Sequence, residues 1–116
     1  MKMMMKTTNN IEIAKEVIEA NSMGHKMKGL MFLDRMSGFD GLLFTRAYSI
    51  HTFFMRFPID VLFINKKKEI VKIIRNLKPW RMTLMYFNAY QTLELMGGSL
   101  DDRVKEGDVI EVVCIN

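Results

Sequence analysis

Short apolar runs separated by turn residues dominate the chain. Ile59 to Asn65 is followed by Lys66, Lys67 and Lys68 and then by Ile70 to Ile74, the pattern of a β-hairpin with a polar loop. Tyr90 to Met96 stops at Gly97 and Gly98, and Val109 to Ile115 follows the turn sequence Glu106, Gly107, Asp108. Valine and isoleucine dominate that last run, as suits a pleated, mostly buried surface. Upstream, Gly38 and Gly41 flank a turn after which Leu42, Leu43 and Phe44 begin a buried strand. Between Asn10 and Ala20, Ile11 and Ile13 alternate, whereas Ala14, Val17 and Ile18 also suit helical spacing; we read a strand pair there. Asn21 or Ser22 can cap a short helix through Lys26 to Met31 by accepting from the free amides of a first turn. Pro58 and Pro79 lie between runs, where a central ladder would be interrupted. The pattern predicts about seven strands and one or two short helices. The fold class is mainly β, a compact antiparallel β-sandwich or partly closed barrel, because no helix of crossover length separates the strands.

Composition narrows this. The chain has 116 residues, 49% hydrophobic and 26% charged, which fits one ordinary globular domain and excludes disorder. We place that domain over residues 9–116 and expect residues 1–8 to fray. The single cysteine, Cys114, can form neither a disulfide framework nor a zinc-ligand set and packs as a small apolar residue. No run reaches the roughly 18 apolar residues of a membrane span, and the Met- and Lys-rich start lacks the apolar core of a secretion signal. A cytoplasmic monomer is expected. The net charge of +4 is moderate, but Lys66, Lys67, Lys68, Lys72, Arg75, Lys78 and Arg81 share one stretch with Glu69 as their sole acid. A solvated hairpin tip followed by a half-exposed strand accounts for this stretch better than an anionic-partner patch does.

The densest chemistry lies in His51-Thr52-Phe53-Phe54-Met55-Arg56-Phe57-Pro58-Ile59-Asp60, three ionisable residues among aromatics. In an extended chain Arg56 and Asp60 share a face and can meet, while His51, Phe53, Met55 and Phe57 share the other. The structural alternative is an Arg56–Asp60 ion pair with His51 bonded to a backbone carbonyl. Glu94 is the second anomaly, an acid between Leu93 and Leu95 in an apolar strand. Alternation points it away from the leucines, either to water or to an interior where it needs a partner such as Arg56, His51 or Lys26. No phosphate loop, dinucleotide fingerprint or serine elbow is present, and two histidines do not make a metal site, so neither cofactor nor metal is expected. The twelve methionines read as adaptable core filler.

Four blocks together carry a resemblance. They are Gly29-Leu30-Met31 after Ala20 and Ser22; Gly41-Leu42-Leu43-Phe44; Ser49 through Asp60 leading into Phe63; and Leu93-Glu94-Leu95 with Gly97 and the later Gly107-Asp108. In order and spacing they cover roughly residues 12 to 113, and the chain resembles the family called domain of unknown function 192, or uncharacterised protein family 0127. The resemblance implies a compact, mainly β domain, similar to a jelly-roll-like sandwich with a short helix near its start, and it implies no activity. Where the family usually carries an arginine three residues before the Gly-Leu-Met block, this chain has Lys26, which keeps the charge but loses the bidentate fork.

The functional expectation is a small soluble domain that binds a polar or anionic ligand, or a protein partner, at His51, Arg56, Asp60, Glu94 and Lys26. An alternative is a small hydrolase or isomerase with His51 or Glu94 as general base. A third is weak nucleic-acid binding through residues 66–81, with Trp80 as a stacking platform.

Overall fold

Strands form at the apolar runs: β1 (Lys2–Thr7), β2 (Glu12–Glu19), β3 (Gly41–Thr45), β4 (Ile59–Ile64), β5 (Ile70–Leu77), β6 (Gln91–Met96) and β7 (Ile110–Cys114). The computed structural model describes residues 2–20 and 30–114. All seven strands belong to one sheet in the order β5-β4-β6-β3-β2-β1-β7. A Cα radius of gyration of 12.9 Å is that of one compact unit, since about 13 Å is expected for a folded chain near 100 residues.

The sheet is mixed and open. Every adjacent pair is antiparallel except β2 and β3, which run parallel with Val17 opposite Gly41. That pair corrects the wholly antiparallel expectation. The connection spans residues 20–40, long enough to carry the chain back to the starting end of the sheet, which a hairpin cannot do. Edge strands β5 and β7 touch through one isolated bridge, Glu69 with Val109, without closing into a barrel.

Three further expectations change. No helix is found among the described residues: Leu30 and Met31 form a turn, and the rest of the expected helix, residues 21–29, lies outside the described residues. Residues 2–7 do not fray; they form β1, held between β2 and β7, because Met3, Met5 and Thr7 turn inward at alternate positions. The expected strand pair over residues 10–20 is the single strand β2. Among the described residues no helix is long and apolar enough to cross a membrane.

Both faces of the sheet are covered. On one face Met5, Val17, Leu43, Leu62, Leu93 and Leu95 belong to the larger apolar cluster. On the other, Leu42, Ile59, Val61 and Phe63 pack beneath loop residues including Leu30, Met55, Phe57 and Ala89. Strand β4 is therefore buried at all six positions, which explains why its sequence is apolar at every position but Asp60 instead of alternating. The loops over the second face, residues 30–40, 46–58 and 79–90, wall the candidate site.

Candidate functional site

Glu94 sits in the middle of β6, opposite Leu42 on β3 and Val61 on β4. Its neighbours Leu93 and Leu95 point into the larger cluster, so period-two alternation turns Glu94 to the second face. There it is only 5% exposed. Burial pushes its carboxyl from 4.5 up to about 8, because the charged form loses hydration. Among the described residues no hydrogen bond or ion pair reaches it. No sealed side-chain oxygen or nitrogen among those residues lacks a partner, so its carboxyl owes its remaining exposure to the space above it.

That space is a cleft of about 370 Å³, lined by Glu94, Phe44, Tyr48, His51, Met55 and Met85 among others. One loop reaches it directly from β3. Arg46 follows β3 with φ 61° while its amide donates to the Tyr90 carbonyl at 2.6 Å, so the chain leaves the sheet sharply and its next residues form a cleft wall.

Thr52 joins two of the covering loops. Fully buried, it donates from Oγ1 to the Lys78 carbonyl at 2.6 Å and accepts from the Arg81 amide at 2.9 Å. Its own amide donates to the Arg81 carbonyl at 2.8 Å, and its carbonyl accepts from the Trp80 amide at 2.9 Å. Four bonds from one residue thus tie residues 51–57 to residues 78–82. Beside this junction Phe32, Phe54 and Trp80 all take left-handed backbone conformations, with φ of 66°, 64° and 65°. Each non-glycine residue held there costs about 1 kcal/mol or more. Their rings compensate in part: Phe54 lies 5.5 Å from Phe32 and 4.8 Å from Trp80 between centroids.

The expected His51, Arg56, Asp60, Glu94 and Lys26 patch does not assemble as one site. His51 and Glu94 both line the cleft. His51 is exposed, stacks on Phe53 at 5.0 Å and accepts from the Phe53 amide at Nδ1, 3.2 Å away. Its bond is to a backbone amide, not to the carbonyl expected. Arg56 and Asp60 do not meet, because the segment turns at Phe54 instead of extending. Exposed Arg56 pairs instead with Asp34, Nη1 to Oδ1 at 2.8 Å. Asp60, 1% exposed, accepts from the amides of Asn76 at 2.8 Å, Gly98 at 3.0 Å and Leu100 at 3.0 Å. That carboxylate fastens the ends of β5 and β6 to β4 and has no line to the cleft. Lys26 lies outside the described residues.

The basic stretch is dispersed as well. Lys67 and Lys68 occupy the β4–β5 turn, Lys66 lies 5.2 Å from the Tyr90 ring centroid, and Lys72 faces Glu106 at 4.0 Å. Arg75 donates to the carbonyls of Leu100, Asp101 and Val104 at 3.0, 3.2 and 2.9 Å, so its guanidinium is already engaged. No group of three or more histidine, cysteine, aspartate or glutamate residues able to hold a metal occurs among the described residues. What the sequence did not reveal is the cleft's wall: Phe44 comes from β3 and Arg46, Tyr48 and Met85 from two loops, and no local motif marks their convergence.

A family model for DUF192, described as Uncharacterized ACR, matches residues 3–112. The chain is similar in structure to a protein of unknown function from Novosphingobium aromaticivorans DSM 12444, with TM-score 0.73 and 20% identity over 95% of this chain and 83% of that one. It is also similar to a protein from Sinorhizobium meliloti 1021 named a "putative transcription regulator", with TM-score 0.76 and 24% identity over 96% of this chain and 92% of that one. At these identities the likeness shows the fold alone. Among curated proteins none matches.

Proposed function

The chain belongs to the DUF192 family, and from that premise we propose that it is a small-molecule-binding domain whose site is the cleft above Glu94. One observation carries the reading: Glu94, only 5% exposed and with no side-chain partner among the described residues, lines a cavity of about 370 Å³. Because Glu94 keeps some exposure and lines the cleft, a ligand there can take the place of water as the partner of its carboxyl. Cavities of this size with mostly apolar walls and a few polar groups are the usual form of a small-ligand site. Arg46 and His51 add polar groups at the exposed side. Arg56 and Asp60, committed to Asp34 and to backbone amides, are not part of the proposed site.

Methionine methyl NMR tests this reading whatever the ligand is. Met31, Met55 and Met85 line the cleft, whereas Met3 and Met5 lie in the cluster on the opposite face. Compounds from a fragment library that occupy the site shift the first three methyl signals and leave the other two in place. A library that moves none of the cleft methyls, or moves all five alike, removes the reading.

A second reading is favoured by the same carboxyl being held at about 8, where it changes charge near neutrality. A small hydrolase or isomerase could use Glu94 as its proton carrier, since acid–base catalysis is most effective when the group's pKa lies near the working pH. Turnover of generic ester or keto–enol substrates that rises through pH 8 and disappears in Glu94→Gln supports it. Binding without turnover leaves the domain a binding module.

A further inference from the structure

The cleft combines a carboxyl with aromatic and thioether walls, and that combination selects a ligand class. Resting on the reading of the cleft as a ligand site, we infer that its ligand is a small organic ammonium with an apolar body, seated with its cationic head against Glu94 and its body against Phe44, Tyr48 and the methionines.

Three observations point the same way. Glu94 is the sole acid lining the cleft among the described residues, and it lies in the sheet floor instead of on a loop. A charge-assisted bond from an ammonium is the strongest satisfaction a desolvated carboxylate can receive, stronger than that from a neutral hydroxyl or amide. Phe44 and Tyr48 add aromatic rings to the lining, and the negative quadrupole of a ring face attracts a cation and gives an anion nothing. Met31, Met55 and Met85 add soft, adaptable apolar surface that fits an alkyl or aryl body without demanding one shape. An anionic ligand would instead place its charge beside Glu94. A wholly apolar ligand would leave the carboxyl without a partner.

The cationic groups of the lining, Arg46 and His51, are both exposed. Water and salt screen them, so they weigh less at the floor than a buried carboxylate in contact with the ligand. Tyr48, the remaining titratable residue of the lining, supplies its ring.

Binding of an ammonium requires Glu94 ionised, and this gives the inference a sign. With its carboxyl at about 8, Glu94 is protonated in the empty cleft at pH 6, and each bound ammonium must displace that proton. Association therefore strengthens about tenfold per pH unit between pH 6 and pH 7 and levels above pH 8. A carboxylate ligand, which needs the protonated acid as donor, follows the opposite course, and an alcohol is nearly indifferent.

The test is titration of the full chain with butylammonium and phenethylammonium, each against its alcohol and carboxylate counterparts, at fixed ionic strength from pH 6 to pH 9. It is read by the methyl signals of Met31, Met55 and Met85. The expected result is that the ammonium probes bind tighter than their counterparts at pH 8 and that their affinity rises with pH as stated. The rise should vanish in Glu94→Gln and persist in His51→Gln, which removes the other lining group that ordinarily titrates between pH 5 and pH 8. Tighter binding of the alcohols or carboxylates, or an ammonium affinity whose pH slope survives Glu94→Gln, overturns the ligand class and leaves the cleft a binding site. Absence of methyl shifts with all three classes at every pH overturns the site itself.

Discussion

Glu94 is the residue whose energetics are most distinctive. Its carboxyl sits at about 8 in the folded protein against an ordinary 4.5, raised by desolvation. A folded-state value above the unfolded one means that the native protein holds a proton which the unfolded chain has released. Its contribution is therefore complete below about pH 4.5 and is lost progressively as pH rises from there to about 8. At roughly 1.4 kcal/mol per pKa unit, the loss is on the order of 5 kcal/mol at most. Glu94→Gln removes the dependence: urea denaturation of the two proteins should give similar midpoints near pH 5 and a clear advantage for the glutamine variant at pH 8. Coincident curves across that range would show that Glu94 meets a cation in the native state. The anomaly was legible in the sequence, since one acid stands in a run of leucines. Its direction followed from alternation, but whether that direction led to water or to an interior depended on loops distant in sequence.

At the scale of elements, Asp60 and Arg56 separate what spacing joined. Four residues apart, they look like a pair, yet Asp60 bonds to three backbone amides and Arg56 reaches an exposed aspartate. Asp60→Ala should therefore cost about 3 kcal/mol or more, because it strands buried amides at the ends of β5 and β6. Arg56→Ala should change stability by less than about 1 kcal/mol, since exposed ion pairs contribute little. Equal effects of the two in thermal unfolding would contradict this division. Gly41 lies opposite Val17 where β2 and β3 pair in parallel. A Cβ placed there would lie 3.0 Å from Val17 and 3.2 Å from both Leu93 and Leu95, all side chains of the main core. Gly41→Ala should destabilise by about 1–3 kcal/mol through overpacking, measured as a fall in denaturation midpoint at unchanged slope. The strand runs from Leu42 onward were readable to within one residue at each end, except that β5 continues three residues past Ile74 to Leu77. The turn at Phe54 was not, because a left-handed phenylalanine has no local signature; the Thr52 bonds and the packed rings hold it.

Across the whole molecule, stability should be graded from the centre of the sheet outward. Strands β4 and β6 have hydrogen-bonded neighbours on both sides, and β4 is buried along its full length. Residues 79–90 instead expose large apolar side chains, with Leu84 at 76% and Phe87 at 78%. Amide hydrogen exchange should be slowest in β4 and β6 and fastest in residues 79–90, because exchange follows the local cost of opening. Protection in that loop equal to the strands would show that it is covered in solution. The amino-acid sequence by itself determined the apolar runs that form β3 to β7, part of β2, and the presence of one acid where leucines belong, because these follow from side-chain chemistry read over a few residues. Only the tertiary structure decided that β1 is a strand, that β2 and β3 run parallel, that Asp60 is a fastener and that Glu94 lies beneath a cleft. Each of these depends on contacts between segments tens of residues apart, where burial and pairing are settled by what the rest of the chain brings alongside.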